Sequence, residues 1–468
     1  MTPRKVAAFA IGPIGSALLG FVTLPIITWF FSQEDIGRLA MLQVAVGFST
    51  LLFSLGLDQA YVREFHEAED KAALLKCAVL PGLILLLITL VLLISRGGAL
   101  AGWLFERHEW YLTLLVVVAI LSTFISRFLS LILRMSERGL AFSMSQVLPK
   151  LLLLGVIGLY VIIGEDKNLN NLLLANTLSV VLVSAIFAFN TRADWAAGVL
   201  SKLDIQQLKS MLMFGLPLIL GGVAFWGLTA IDKLFLRTLA NFEELGIYSV
   251  SVSFAAAATI LQSIFTTVWI PTVYKWVSKG DGLDRVLGVI RYALAVVVIA
   301  YCLAGLLSWI LTLFLPIEYG SVQWIVVSCL GYPLLYTLSE TTVVGIGVTR
   351  RSIFAMLPAI VAFAVNCIGN WLLIPRFGAA GAAVSTSISF WVFFILRTEL
   401  SIYVWKPIPR GLLYTYTTIL VAGAAIFTLW GQNISTWMYI FWFLVLISSI
   451  YKFKTEVHHV FNFFFSSH

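Results

Sequence analysis

Long apolar stretches separated by short polar breaks run along almost the whole chain. Each stretch is close to the roughly 20 residues that an α-helix needs to cross the hydrocarbon core of a bilayer. The pattern predicts fourteen membrane-spanning helices, with the approximate bounds 6–31, 37–57, 74–94, 112–133, 142–163, 169–189, 211–236, 245–270, 287–314, 321–348, 353–374, 378–396, 411–430 and 434–451. The segment 97–111 has an intermediate pattern and is a candidate interfacial helix.

The positions of the basic residues predict the orientation of these spans. If the N-terminus is cytoplasmic, 21 of the 30 Lys and Arg residues lie in cytoplasmic segments and six lie on the opposite side. Three more, Arg127, Lys150 and Lys233, lie inside spans. Because Lys and Arg are enriched in cytoplasmic loops, both termini are expected in the cytoplasm.

Composition excludes most classes of soluble protein. Of the 468 residues, 60% are hydrophobic and 11% are charged, whereas a soluble domain carries about 25% charged residues. The net charge of +7 follows mostly from topology, so nucleic acid is not an expected partner. The cysteines and histidines lack the spacing of a metal site, and no resident cofactor is expected.

The two halves of the chain match at a constant offset of 209 residues. EDIG at 34–37 aligns with EELG at 243–246, and Leu148-Pro149 aligns with Leu357-Pro358. Parallel repeats of six helices predict two lobes related by an axis along the membrane normal.

The expected fold is therefore an all-α polytopic membrane protein with two duplicated six-helix lobes and two additional C-terminal helices. The domains are predicted as an N-terminal lobe at 1–190, a cytoplasmic linker at 191–210, a C-terminal lobe at 211–400, and two further spans with a cytoplasmic tail at 401–468. No loop has room for an ATPase, so an ion gradient, the membrane potential or the substrate gradient must drive any transport; H⁺ and Na⁺ are the candidate coupling ions.

Three segments resemble signatures of polysaccharide flippases. They are 31–65, 230–254 with Asp232-Lys233 followed by Gly246-Ile247-Tyr248, and LLIPRFGAAGAAVSTSIS at 372–389. The chain thus resembles the multidrug/oligosaccharidyl-lipid/polysaccharide (MOP) exporter superfamily, and within it the Wzx-type flippases of O-antigen or capsule repeat units. The resemblance implies a MATE/MurJ-like fold in a bacterial inner membrane.

The same resemblance implies that the chain moves an undecaprenyl-pyrophosphate-linked oligosaccharide to the periplasmic leaflet by alternating access. An ion-coupled exporter of drugs or organic cations and a lipid II flippase remain alternatives within the superfamily. A membrane glycosyltransferase or polymerase is a distant alternative, since its usual long extramembrane loop is absent. A monomer is expected because two lobes already enclose a pathway, and polysaccharide polymerase machinery is a candidate partner.

Two cations in the first lobe are the main candidates for substrate binding. A charge at mid-bilayer costs about 2.5–3.5 kcal/mol, so such residues should face a cavity or a partner. Arg127 and Lys150 lie at similar depths in spans 4 and 5, about 10 and 12 Å from the cytoplasmic end at 1.5 Å per residue. Such a pair suits a diphosphate, because Arg offers a fork and Lys a point charge. The alternative is that both side chains extend to the interface.

The acidic candidates leave more alternatives open. Glu340 either pairs with Arg127 or Lys150 across a cavity, carries a coupling proton, or is protonated and bonded to neighbouring Ser and Thr residues. By the resemblance, Asp232 occupies the acidic cavity position of the second lobe, next to Lys233; the alternative is a salt bridge at a periplasmic gate.

Asp58 and Arg63 lie at the cytoplasmic end of the second predicted span. A gate or interfacial ion pair is the favoured interpretation there, and a binding site is the alternative.

Overall fold

The structure, a computed structural model, describes residues 3–164, 166–278, 282–349, 351 and 353–456, without the side chains of 3–10, 13, 261, 264, 267, 270, 278 and 282. The described residues form helices and turns and contain no strand. The chain divides into two compact units, unit 1 (Met1–Trp226) and unit 2 (Gly227–His468). The all-α prediction is confirmed.

The described part of unit 1 contains nine helices and the first part of a tenth. Their bounds are α1 Pro3–Phe30, α2 Gln33–Phe53, α3 Leu57–Glu64, α4 Lys71–Ser95, α5 Ala99–Phe105, α6 Trp110–Met135, α7 Gly139–Ile163, α8 Leu169–Asn190, α9 Arg192–Leu200 and α10 Ile205–Leu239. The boundary between the units falls within α10, after Trp226.

Unit 2 continues from α10 with eight further α-helices in its described residues. They are α11 Phe242–Ala255, α12 Ala258–Ser278, α13 Gly282–Leu307, α14 Val322–Cys329, α15 Gly331–Thr342, α16 Val344–Thr349, α17 Ile353–Val404 and α18 Gly411–Lys452. Two short 3₁₀ helices, Ser308–Leu313 and Ile317–Tyr319, lie between α13 and α14.

Ten helical stretches of the described residues are long and apolar enough to cross a membrane, and one of them, Val322–Thr342, comprises α14 and α15. Two of these are each two helices joined at a kink: α17 has 52 residues with Gly378 at φ 51° and ψ −128°, and α18 has 42 with Ile434 at φ −124° and ψ 29°. A straight helix of 52 residues would be about 78 Å long, more than twice the hydrocarbon thickness. Both kinks fall at breaks that the hydropathy pattern predicts, and the helices are consistent with fourteen spans.

The internal duplication recurs in the helix ends. Helix α2 begins after Ser32, whose hydroxyl accepts a hydrogen bond from the amide of Asp35, and α11 begins after Asn241, whose side chain accepts one from the amide of Glu244. The two capping residues are 209 positions apart, as are the ends of α1 and α10. Both caps satisfy amides that a helix N-terminus leaves unpaired, and acidic residues follow them in each first turn.

Two polar segments also form helices in unit 1. The candidate interfacial segment 97–111 contains α5, whose Leu104 and Phe105 are buried. The segment 191–210 contains α9 and the start of α10. Lys76 holds the end of α9 by donating hydrogen bonds to the carbonyl oxygens of Val199 (2.9 Å) and Ser201 (2.6 Å).

Candidate functional site

An ion pair between α3 and α6 is the central polar contact of unit 1. Arg127 donates hydrogen bonds to Oδ2 of Asp58 from Nη2, at 2.6 Å, and from Nε, at 3.3 Å. The Asp58 side chain is 9% exposed and that of Arg127 is 44% exposed. The carboxylate is therefore buried, and the guanidinium remains open on one side.

A sharp turn between α2 and α3 positions Asp58. Leu55 and Gly56 have positive φ values of 53° and 67°. Gly56 packs against the backbone of Gly215 in α10, so closely that a Cβ atom there would lie 2.2 Å from the Gly215 carbonyl oxygen. A residue with a side chain does not fit this contact, and the left-handed backbone favours glycine. The turn ends α2 at Phe53, earlier than the predicted bound of 57, and starts α3 one residue before Asp58.

A cavity of about 560 Å³ lies inside unit 1 and includes this ion pair in its wall. Helices α2, α3, α6, α7 and α8 enclose it. Nine of its fifteen lining residues carry hydroxyl, amide or charged side chains: Thr50, Ser54, Asp58, Thr123, Ser126, Arg127, Ser130, Ser145 and Gln146. Among the described residues, the buried hydroxyl of Ser126 has no hydrogen-bond partner. Buried polar groups normally have partners, so this wall suits a polar ligand.

Lys150 lies on α7, one residue after Pro149 of the cavity wall, but does not itself line the cavity. Its ammonium donates a hydrogen bond to the backbone carbonyl oxygen of Ser16 in α1. The two cations predicted to act together are thus separated, with Arg127 at the cavity and Lys150 against α1.

Arg63 does not pair with Asp58. Its guanidinium lies 4.3 Å from the ring centre of Phe214 in α10, in a cation–π contact. The expected Asp58–Arg63 ion pair is therefore wrong. Arg63 lies five residues beyond Asp58 in the short helix α3, and Arg127 is the residue that reaches the carboxylate.

Asp232 of α10 is the most buried acidic side chain among the described residues of unit 2, with an exposure of 0%. Its carboxylate accepts hydrogen bonds from the hydroxyl of Tyr248 (2.5 Å), Nδ2 of Asn370 (2.6 Å) and the hydroxyl of Thr386 (2.7 Å). Asn366 joins this group through bonds to Asn370 (3.1 Å) and Thr386 (3.2 Å). The three side chains that donate to this carboxylate are neutral.

The group of Asp232, Tyr248, Asn366, Asn370 and Thr386, here called the Asp232 cluster, adjoins a small cavity. This cavity has a volume of about 60 Å³, and Tyr248 and Thr386 form part of its wall. Within the described part of the chain, the carboxamide oxygen of Asn370 is buried without a hydrogen bond. Lys233 follows Asp232 directly and donates no hydrogen bond to a described residue.

Glu340 pairs with Arg397 inside unit 2. Nη1 of Arg397 donates hydrogen bonds of 2.8 Å to both Oε1 of Glu340 and the hydroxyl of Ser339. The side chains are 8% and 12% exposed, and the guanidinium lies 5.0 Å from the ring centre of Phe393. Two of the alternatives open for Glu340 are therefore not what is found: it pairs with Arg397 instead of Arg127 or Lys150, and it is not a protonated carboxyl held by neighbouring Ser and Thr residues.

Sequence reasoning missed Arg397 because it placed this residue in a cytoplasmic loop. Helix α17 continues to Val404, and no glycine or proline follows Arg397 before Pro407. The absence of a helix-stop signal was the clue to a longer helix. Asn366 and Asn370 were also missed, although two carboxamides four residues apart in an apolar run lie on one helix face.

Comparison with known proteins agrees with this architecture. No curated protein sequence gives a match. Among solved structures, the chain is similar to the lipid II flippase MurJ in an inward closed conformation, with 14% identity, a TM-score of 0.67, and coverage of 96% of this chain and 99% of that one. It is also similar to a multidrug resistance MATE family transporter of the MOP superfamily in an inward-facing conformation, with 16% identity, a TM-score of 0.57, and coverage of 86% and 96%.

The outward-facing conformation of a MATE family transporter gives 15% identity and a TM-score of 0.52, with coverage of 88% and 96%. At these identities the likeness shows a shared fold. The sequence model of the polysaccharide biosynthesis protein family matches residues 3–277, more than half of the chain. This multi-pass membrane protein therefore belongs to the polysaccharide biosynthesis protein family.

Proposed function

We propose that the protein translocates an undecaprenyl-pyrophosphate-linked oligosaccharide from the cytoplasmic to the periplasmic leaflet of a bacterial inner membrane. It does so as a monomer by alternating access, with both chain termini in the cytoplasm. The product supplies O-antigen or another surface polysaccharide, in proximity to the polymerase machinery.

The observation that carries this proposal is the cavity of unit 1. A wall of hydroxyls, a carboxamide and one arginine inside an otherwise apolar bundle offers a sugar its hydrogen bonds and a phosphate its counter-charge. An organic cation would find one carboxylate there, and Arg127 already neutralises it. The geometry thus favours an oligosaccharide with an anionic group over a cationic drug. Lys150 is the second cation available to the substrate, if its bond to Ser16 opens.

We also propose that the Asp232 cluster is where a coupling ion acts. A fully buried carboxylate with three neutral donors is a costly charge in a membrane protein, because no cation among the described residues is bonded to it. Binding of H⁺ or Na⁺ would neutralise this charge, and Lys233 is the next basic group along the helix. Glu340 is less suited to this role, since Arg397 already balances it.

The test is a deletion strain in which surface glycan and undecaprenyl-linked intermediates are both measured. We expect loss of surface glycan and accumulation of complete lipid-linked repeat units on the cytoplasmic side, with rescue by the intact gene. Normal glycan with increased sensitivity to cationic drugs would instead indicate an exporter. Accumulated lipid II would indicate a lipid II flippase, and incomplete repeat units would indicate a glycosyltransferase.

A further inference from the structure

The Asp58 carboxylate does not occupy all the hydrogen-bond donors of the Arg127 guanidinium. Both of its bonds end on one carboxylate oxygen, Oδ2, although a guanidinium and a carboxylate can form two parallel bonds to two oxygens. Within the described residues, Nη1 of Arg127 donates to no acceptor. The guanidinium therefore retains donors for a second anion.

The pair is also asymmetric in its exposure. Asp58 is 9% exposed and also accepts a hydrogen bond of 3.3 Å from Gln59, and it lies in the first turn of α3, where a negative charge is favourable. Arg127 is 44% exposed and lines the cavity. The carboxylate is thus held in the wall, whereas the arginine can contact a ligand.

We propose that Asp58 is an internal competitor for Arg127. An anionic group that enters the cavity with two oxygens, a phosphate or a carboxylate, binds the Arg127 fork and displaces the Asp58 carboxylate. This inference rests on the proposed function and specifies its substrate: the cavity selects a repeat unit by an anionic group, either the carrier diphosphate or an acidic sugar.

The exchange follows from the geometry of the donors. Asp58 accepts both of its bonds from Arg127 on one oxygen, Oδ2, whereas a two-oxygen anion can accept two parallel charge-assisted bonds on two oxygens. The hydroxyl of Ser126, unpartnered among the described residues, and the carboxamide of Gln146 lie in the same wall and can donate to the remaining oxygens. A neutral sugar cannot displace Asp58, because it offers Arg127 no charge in return. While Asp58 pairs with Arg127, the charge of the arginine is balanced, which avoids an uncompensated charge in the membrane.

The test measures binding of two probes to the purified full-length protein in nanodiscs. Geranyl diphosphate represents the carrier headgroup, and glucuronic acid represents an acidic sugar; glucose is the neutral control. We expect the wild type to bind at least one anionic probe and Arg127→Gln to lose that binding. Removal of the competitor in Asp58→Asn should tighten binding by about threefold to tenfold. The probe whose binding changes in these variants identifies the source of the anion, the carrier diphosphate or an acidic sugar.

Glu34→Gln is the matched control, because Glu34 forms an ion pair of 2.9 Å with Arg38 elsewhere in α2 and does not line the cavity. It should leave the dissociation constants unchanged. An Asp58→Asn variant that binds the anion as weakly as wild type, or more weakly, would overturn the proposal. So would an equal effect of Glu34→Gln.

A second measurement needs no variant. Hydrogen–deuterium exchange of the wild-type protein should rise in α3, Leu57–Glu64, when the anionic probe is added, because Asp58 loses its partner. Unchanged exchange with bound probe would contradict displacement. The proposed function is tested separately by the deletion strain. If the strain has normal surface glycan, the flippase function is refuted. If anion binding and hydrogen–deuterium exchange still behave as expected, the displacement of Asp58 from Arg127 is supported all the same.

Discussion

Asn370 donates a hydrogen bond of 2.6 Å to the carboxylate of Asp232, 138 positions earlier in the chain. The bond links the second part of unit 2 to the helix with which the unit begins. It completes a set of three neutral donors around a carboxylate that is fully buried. Because the described part of the chain bonds no cation to this carboxylate, its surroundings should respond strongly to a bound ion.

Replacement of Asp232 is expected to abolish ion coupling. Asp232→Asn removes the charge while keeping the size, so transport in proteoliposomes should no longer depend on an imposed pH or Na⁺ gradient. If a pH gradient alone drives transport by the wild-type protein, the coupling ion is H⁺. If a Na⁺ gradient alone drives it, the coupling ion is Na⁺. Glu399→Gln, outside the Asp232 cluster, is the control. Gradient dependence that persists in Asp232→Asn would exclude this residue as the coupling site.

Loss of one donor of the Asp232 cluster is expected to cost stability. Tyr248→Phe removes the hydroxyl that bonds Asp232, and an unmade bond to a buried charge costs about 1–3 kcal/mol. Thermal unfolding in detergent should show a lower midpoint. Tyr451→Phe, at an exposed tyrosine of α18, is the matched control and should not change it. Equal midpoints for the two variants would argue against a structural contribution of the Tyr248–Asp232 bond.

Substitution of Arg127 is expected to reduce glycan export. Arg127→Gln removes a charge-assisted contact worth about 1.5–3 kcal/mol, which corresponds to roughly tenfold or more in export rate. Arg127→Lys keeps the charge without the fork and should give an intermediate rate. Both rates are measured by pulse labelling of surface glycan in the deletion strain. Arg192→Gln, at an arginine that stacks on Phe189 outside the cavity wall, should export normally; full export with Arg127→Gln would remove Arg127 from the site.

Replacement of only one residue of the Glu340–Arg397 pair is expected to lower the stability of the protein. Glu340→Gln or Arg397→Met alone leaves a buried charge without its partner, with an expected loss of about 3–5 kcal/mol. The double variant Glu340→Met with Arg397→Met should regain much of this stability, because both charges are gone. A double-mutant cycle by chemical unfolding measures the coupling. Additive losses would show that the two residues do not interact energetically.

Two glycines with positive φ should respond differently to alanine. Gly56→Ala places a Cβ atom 2.2 Å from the carbonyl oxygen of Gly215, whereas Gly97→Ala places it in open space at φ 63°. Gly97→Ala should cost only the left-handed backbone strain, about 1–2 kcal/mol. Gly56→Ala should cost more and also move Asp58, so both stability and export should fall. Similar unfolding midpoints for the two variants would contradict the close packing of Gly56 against Gly215.

The hydropathy pattern predicted the all-α fold and the breaks between spans near Gly378 and Ile434, because the length of a membrane span is set locally by the bilayer thickness. The helix starts that recur after 209 residues are also set locally, because Ser32 and Asn241 cap their helices through contacts within three residues. Arg127, Asp232 and Glu340 stood out because a charge in an apolar run needs a partner.

The identity of each partner was decided by the tertiary structure. Asp58 lies 69 positions from Arg127, and Glu340 lies 57 from Arg397, so no local spacing relates them. Which pairs meet depends on how the helices pack and rotate about their axes, and on turns such as the one that Gly56 makes against Gly215. The sequence thus determined which residues require a counter-charge or a cavity, and only the packing of the helices determined which residue or cavity supplies it.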